Sequence, residues 1–291
     1  MSTTRLGDNQ YGKAETRLVW IDHATDRHEI TDLNVSTALS GDLAATHLTG
    51  DNAGVLPTDT QKNTVYAFAR DGVGQIEDFA LRLARHFVDT TPTIHRARVT
   101  IEKYSWDRIA VDGQPAQHSF VRGAGTRTTA VTYDGSAATV VSGVDDLVLL
   151  NTTGSEFHGF HKDQYTTLPE THDRILATAV TARWRHAVAE NADWHESHRE
   201  ATGHLLEAFA NTHSLSLQQT LHAMGERVLR HREELAEVRL SLPNRHHFLV
   251  DLSPFELDNP GAVFFAADRP YGLIEGSVHR DGAPAAGLAW W

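Results

Sequence analysis

Apolar and polar positions along this chain alternate, shift to helical spacing, and alternate again, and the cycle occurs twice. Leu18, Val19, Trp20 and Ile21 form an apolar run that predicts a strand within 11–22. Leu33, Val35, Thr37 and Leu39 alternate with polar neighbours and predict a second. The interval 41–54 shows neither period and reads as loop. A helix is expected from Asp59. Pro57 cannot donate a backbone hydrogen bond and biases Leu56 toward an extended conformation, and Thr58, Asp59 and Thr60 are capping types ahead of an apolar run. After Asp71-Gly72-Val73-Gly74, the residues Ile76, Phe79, Ala80, Leu83 and Phe87 recur at helical spacing. Strands are expected over 94–109, at Phe120-Val121, over 128–133, and around Val140 and 147–150, with Asp134-Gly135 as a hairpin turn.

The second half repeats the plan. Residues 175–187 predict a long strand, 194–210 a helix, and Leu217, Leu221, Met224 and Val228 a second helix. Strands follow around 238–242, 248–252, 263–267 and 273–279. Strands, a helix pair and strands again, occurring twice, predict an internal duplication with units at 10–150 and 151–285. Segregated strands and helices argue for an α+β fold, with antiparallel sheets carrying paired helices on one face.

Composition narrows the function classes. Hydrophobic residues make up 40% and charged residues 22%, as in ordinary globular proteins. A net charge of −12 disfavours nucleic-acid binding. No apolar run is long enough to span a membrane, residues 1–12 lack a secretory apolar core, and the Ala289-Trp290-Trp291 ending carries no peroxisomal signal. A cytoplasmic location is the expectation. The absence of cysteine excludes disulfides, thiolate nucleophiles and cysteine-type zinc sites. Among 19 histidines, Trp194-His195-Glu196-Ser197-His198 sets two of them three apart, unlike the zinc motif His-Glu-x-x-His. The segment reads as a solvated polar face, and no metal site is expected.

Around Pro57-Thr58-Asp59 stand Tyr11-Gly12-Lys13, then Ser155-Glu156-Phe157-His158-Gly159-Phe160, Asp173-Arg174-Ile175-Leu176-Ala177-Thr178, Leu217-Gln218-Gln219-Thr220 and Ser241-Leu242-Pro243-Asn244-Arg245-His246-His247-Phe248. In this order and at these separations the set resembles the uricase (urate oxidase) family, in its bacterial branch, from Gln10 to His279. The resemblance implies tandem tunnelling-fold units. It also implies that their sheets pair between subunits into barrels, stacked as a homotetramer with sites shared between subunits. The implied reaction takes urate, dioxygen and water to 5-hydroxyisourate and hydrogen peroxide, with no cofactor and no metal.

Urate is a flat, electron-rich purine with hydrogen-bonding edges. A site for it calls for a planar cation, an amide, an aromatic face and a proton acceptor. Arg174 offers a rigid two-donor fork, Gln218 both a donor and an acceptor, and Phe157 a ring face. The resemblance assigns Arg174 and Gln218 to the purine edge, Phe157 to the ring, and the backbones of Leu217 and Asp59 to further contacts. It makes Lys13 the base, Thr58 a proton relay and His246 a third relay member, with Asn244 and Thr58 holding dioxygen and then the hydrolytic water. A lysine, with a reference pKa of about 10.4, needs burial or a positive neighbour to act as a base at neutral pH. Singly, Arg174 beside Asp173 and Glu170 reads as a surface ion pair, Phe157 as core and Gln218 as solvated. Together, in family order, they read as a site. Pro57 is a departure, since many members of the family that the chain resembles carry alanine there. His247 offers a second histidine, but on an extended segment His246 shares a face with Asn244 and His247 does not.

Two other readings remain open on residue types. A zinc-dependent cyclohydrolase or synthase of the same fold needs histidine or cysteine ligands, and the sequence shows no cysteine and no clean histidine cluster. A catalytically silent purine-binding protein has no need of Lys13, Thr58 and His246.

Overall fold

The computed structural model describes residues 4–190 and 193–290, which divide into two compact units. One holds the residues up to Gly143, Arg185–His195 and the segment from Pro284; the other holds Val144–Trp184 and Glu196–Ala283.

In the first unit strands β1 (Thr16–Asp22) and β2 (Glu29–Gly41) precede helices α1 (Ala44–Thr49), α2 (Thr58–Arg70) and α3 (Ile76–Thr90). Strands β3 (Ile94–Val111), β4 (Gln114–Tyr133) and the start of β5 (Ala138–Asn151) follow. Neighbours run β1-β2-β3-β4-β5, and the β1–β2, β2–β3 and β3–β4 pairs are antiparallel. The register sets Val35 opposite Ile101, Thr37 opposite Val99 and Leu39 opposite Ala97. All six are buried, and Ile76, Phe79, Ala80, Leu83 and Phe87 of α3 belong to the same core. Each large side chain buried there contributes about 1.5–3 kcal/mol. The alternation of β2 and the helical stripe of α3 thus feed one core, with α3 packed over β3 and β4.

Two expectations are corrected here. The interval 41–54 contains α1, a helix of 6 residues closed by Gly50 at φ 74. A helix so short shows no readable period and forms only in its tertiary setting. Phe120-Val121 and 128–133 belong to a single strand, β4, whose polar middle stays paired to β3, with Trp106 opposite Arg122 and Tyr104 opposite Thr126. The long β3–β4 hairpin turns at Asp112 (φ 52) and Gly113 (φ 76), the left-handed pair that a two-residue hairpin turn requires.

The second unit holds the rest of β5 and most of β6 (Leu176–His186), which neighbour each other. Helices α4 (Trp194–Asn211) and α5 (Leu217–His231) follow, then β7 (Leu235–Pro243) and β10 (Leu273–His279), in the order β6-β7-β10. Strands β8 (His246–Leu249) and β9 (Phe264–Ala267) form their own antiparallel pair. Val180, Ala182, Trp184, Leu205, Met224, Val228 and Leu242 build its core. The fold class is α+β, with antiparallel sheets.

The start of α4 is not the solvated face expected of it. Trp194 and Ser197 are buried, Ser197 donates to Glu234 at 2.8 Å, and the His198 ring lies 5.5 Å from that of Trp184. Charged letters at helical spacing hid an amphipathic turn, and His195 is exposed. No described helix is long and apolar enough to cross a membrane.

Candidate active site

Lys13 sits on a short segment laid along β2. Tyr11 and Leu39 exchange both backbone hydrogen bonds, at 3.0 and 2.7 Å, and Thr37 N–H donates to the Lys13 carbonyl at 2.9 Å. The approach is so close that a Cβ on Gly12 would stand 1.7 Å from the Thr37 carbonyl oxygen, so only glycine fits. A polar chain then joins this segment to the turn before α2. The Lys13 N–H donates to the Thr37 hydroxyl at 3.2 Å, that hydroxyl donates to Gln61 Oε1 at 2.7 Å, and Gln61 Nε2 donates to the Leu56 carbonyl at 3.3 Å. The Tyr11 hydroxyl reaches the same carbonyl at 2.9 Å. Thr37 and Gln61 are both buried. Sequence reading missed their role, although a threonine at an inward-facing position of β2 was a signal for a buried polar partner.

Helix α2 begins at Thr58, one residue before the expected start, and its N-cap is Pro57 (φ −53, ψ 142) with no side-chain cap bond. The Thr58 hydroxyl therefore does not cap the helix, as its residue type suggested. The first intrahelical acceptor, the Pro57 carbonyl, takes Gln61 N–H at 3.1 Å, which leaves the N–H groups of 58–60 open. The Asp59 carboxylate folds back on its own helix and accepts from Lys62 at 2.6 Å and Asn63 at 3.0 Å. The Lys62 hydrogen bond, then the Lys62 charge, hold this carboxyl below its ordinary range, and the Lys13 charge adds to them.

The second unit gathers the other set. Phe157 and Thr171 exchange backbone bonds at 2.8 and 3.0 Å, and Ser155 is bridged to Ser214. Arg174 rests over the Phe157 ring, with Cζ 5.2 Å from the centroid, and its Nε donates to Ser155 Oγ at 3.3 Å. Its neighbouring carboxylates are engaged elsewhere. Asp173 accepts from the Thr153 hydroxyl at 2.9 Å and the Gly154 N–H at 3.0 Å, and Glu170 pairs with Lys162 at 2.8 Å. Among the described residues no carboxylate pairs with Arg174, so it is not the ordinary surface ion pair. Burial pulls its pKa below the ordinary arginine value. Phe157 lies outside both cores and stacks on Phe160, with centroids 4.9 Å apart at 15°.

Helix α5 opens with Ser216 as its N-cap, ahead of Leu217-Gln218-Gln219. Ser216 Oγ accepts the Gln219 N–H at 3.2 Å, and Gln219 Oε1 accepts the Leu215 N–H at 2.8 Å. The N–H groups of Leu217 and Gln218 stay open at the positive end of the helix. The Leu217 side chain is 2% exposed and packs in the core, so only its backbone is available, while the Gln218 side chain is exposed.

Lys13, Thr58 and Asp59 thus belong to the first unit, and Phe157, Arg174, Leu217, Gln218, Asn244 and His246 to the second. The uricase family model matches residues 9–132 and 140–275, which take in every one of these positions. The chain belongs to the uricase family. It is 52% identical over 286 residues to the uricase of Arthrobacter globiformis, covering 98% of this chain and 93% of that protein. To the uricase of Dictyostelium discoideum it is 36% identical over 280 residues, covering 94% and 97%. The crystal structure of Arthrobacter globiformis uricase superposes with a TM-score of 0.93 over 98% of each chain.

The last uricase segment lies where the chain leaves β7 for β8. Asn244 donates its N–H to the Gly272 carbonyl at 2.8 Å and Arg245 donates to the Ala177 carbonyl at 2.8 Å. Burial, then the Arg174 charge, then His247, push the His246 pKa below the usual histidine value, so the ring is neutral near pH 7. That ring stacks on Phe248 at 5.7 Å. A cavity of ≈ 500 Å³ is lined by Asn244, Arg245 and His247 with Ala177, Ala179 and Tyr271, and not by His246. Arg245 lies between β7 and β8, strands of different sheets.

Proposed function

We propose that this chain is a cofactor-free urate oxidase, converting urate, dioxygen and water to 5-hydroxyisourate and hydrogen peroxide. The observation that carries the reading is Arg174: a desolvated guanidinium with no carboxylate partner among the described residues, set against an aromatic face and beside a neutral histidine. A half-buried cation without a carboxylate is a site for an anion, and the urate monoanion is planar and matches its fork. In this reading Arg174 and Gln218 hold the purine edge, Phe157 lies against the ring, and the open N–H groups of Leu217 and Asp59 complete the contacts.

The chemistry is proton removal followed by transfer of the urate electron pair to dioxygen. Thr58, whose hydroxyl is not spent on capping, passes the proton toward Lys13. Lys13 is positioned by Gly12, Thr37 and Gln61 rather than by its own side chain. Neutral His246 is the third relay member. Asn244 and Thr58 hold dioxygen above the ring and then the water that adds to the oxidised purine. Dioxygen leaves as peroxide with two protons, and the water supplies the hydroxyl, so atoms and electrons balance.

The reading includes assembly. Lys13 and Thr58 lie in one unit and Arg174, Phe157 and Gln218, with His246, in the other, and each site forms where the first unit of one subunit meets the second unit of its neighbour, in a homotetramer whose sheets pair into barrels. Exposed apolar side chains on the strands, Val19, Ile21, Val148 and Leu150 among them, are surfaces that such pairing covers.

Chelator-treated protein should consume urate and release peroxide in equal amounts. Activity that vanishes on chelation and returns with zinc would instead favour the zinc-dependent reading. Binding without turnover would favour the silent one. Shared sites predict complementation: Thr58→Ala and Arg174→Ala are each nearly inactive, but about a quarter of sites recover in a randomly mixed population, by two-fold symmetry. Mixed assemblies that form yet stay inactive would place both residues in one pocket of one chain.

A further inference from the structure

Folding makes the histidine cluster that the sequence did not show. The antiparallel bridge between Phe157 and Thr171 sets His172 beside Glu156 and His158, which flank Phe157. Glu156 Oε2 lies 3.0 Å from His158 Nε2 and 3.5 Å from His172 Nδ1. One donor atom from each residue falls within 4.8 Å of the other two. The second carboxylate oxygen is occupied: His213 Nε2 holds Oε1 at 2.5 Å, on the strand segment bridged to Ser155. We propose that Glu156, His158 and His172 form a binding site for one transition-metal dication of the zinc and copper class, with His213 fixing the carboxylate from behind.

The geometry fits such an ion with little movement. Bonds of about 2.0–2.1 Å in a tetrahedron set donors about 3.3 Å apart, and the two carboxylate–imidazole separations bracket that value. The third edge closes by rotation of the rings, which are 4.4 Å apart at centroids and free to turn, since the side chains of His158 and His172 are 41% and 73% exposed. Two imidazoles and one carboxylate select zinc, copper or nickel over magnesium or calcium, which prefer oxygen-only shells. The fourth position faces solvent, as in an open three-ligand site. A carboxylate oriented by an outer hydrogen bond is the usual support of a metal ligand.

The site differs from the pocket in position and in role. Glu156 and His158 touch each other and so project from one face of the ribbon, while Phe157, between them, projects from the other. A bound cation ties the segment before Phe157 to the segment before Arg174 without entering the ring-binding face. Turnover of urate does not require it.

The test uses full-length, tag-free, chelator-treated protein titrated with zinc chloride by calorimetry, with melting temperature measured in parallel. One saturable site per chain is expected, with a raised melting temperature, and no heat on titration with calcium chloride. His172→Ala and Glu156→Gln should each weaken zinc binding by at least about tenfold and abolish the rise in melting temperature that zinc gives the parent. His195→Ala, an exposed histidine outside the cluster, should bind as the parent does. Zinc binding that survives both His172→Ala and Glu156→Gln, or that never saturates, would show a hydrogen-bonded cluster and not a metal site.

Discussion

Gly12→Ala tests whether the placement of Lys13 rests on backbone approach. The added methyl would lie 1.7 Å from the Thr37 carbonyl oxygen and 2.9 Å from the Ala38 Cα. Carbon–oxygen contacts are comfortable near about 3.3 Å, so the segment must retreat by about 1.6 Å. Neither obstacle is a flexible side-chain tip; both are backbone of β2, which is packed on its buried face and cannot yield. Three backbone hydrogen bonds are stretched: the two between Tyr11 and Leu39 and the one from Thr37 to Lys13. At about 0.5–1.5 kcal/mol each the local loss is about 3 kcal/mol, which predicts about 100-fold faster amide exchange at Tyr11 and Leu39. A misplacement of about 1 Å costs about 100-fold in rate, so kcat should fall by at least that factor. KM should stay within about threefold, because Arg174, Phe157 and Gln218 belong to the other unit and meet urate regardless of Lys13. Gly7→Ala, where no atom lies within 4 Å of the added methyl, is the control and should behave as wild type. A Gly12→Ala protein with kcat within about threefold of the parent would refute the account of how Lys13 is held.

Lys13→Met and Thr58→Ala act on one relay, so the double variant should lose little more than the worse single one. Losses that multiply would break the relay assignment. Both should lower kcat more than they raise KM, measured by steady-state urate oxidation. The acid limb of kcat/KM, which reports the free enzyme, should lie below the ordinary histidine pKa of about 6.5, because burial and then the Arg174 charge depress His246. As pH falls through that folded value the ring gains a proton and ceases to accept one. In the window between that value and the unfolded one the native state binds fewer protons than the unfolded state, so this residue's contribution to stability is present above the window and is lost as pH falls through it. His247→Gln removes one of the neighbours that depress His246 and should move the limb upward. An acid limb above 6.5 in the parent would contradict the role given to His246.

Where a strand is half-buried, the sequence announces it. Leu33, Val35 and Leu39 alternate because one face of β2 is buried in the first unit's core and the other is not. The middle of β4 gives no such signal, because Arg122, Gly123 and Thr126 present no apolar face. Pairing with β3 holds it extended, and Arg122 stacks over Tyr104 at 4.1 Å and Trp106 at 5.6 Å, a partner that only the register supplies. The same division runs through the site. Residue order gave Arg174, Phe157, Gln218 and Lys13 as types suited to a flat purine anion. It could not say that Asp173 would turn to Thr153 and Gly154, or that Glu170 would turn to Lys162, leaving the guanidinium uncompensated. Nor could it say that Gln61 would be buried under Thr37, or that His172 would come to rest beside Glu156. Binding capacity is what remains after a fold has satisfied its own polar groups. That remainder is decided by long-range pairings, and so the chemistry was legible in the residue types while the vacancy at Arg174 was not.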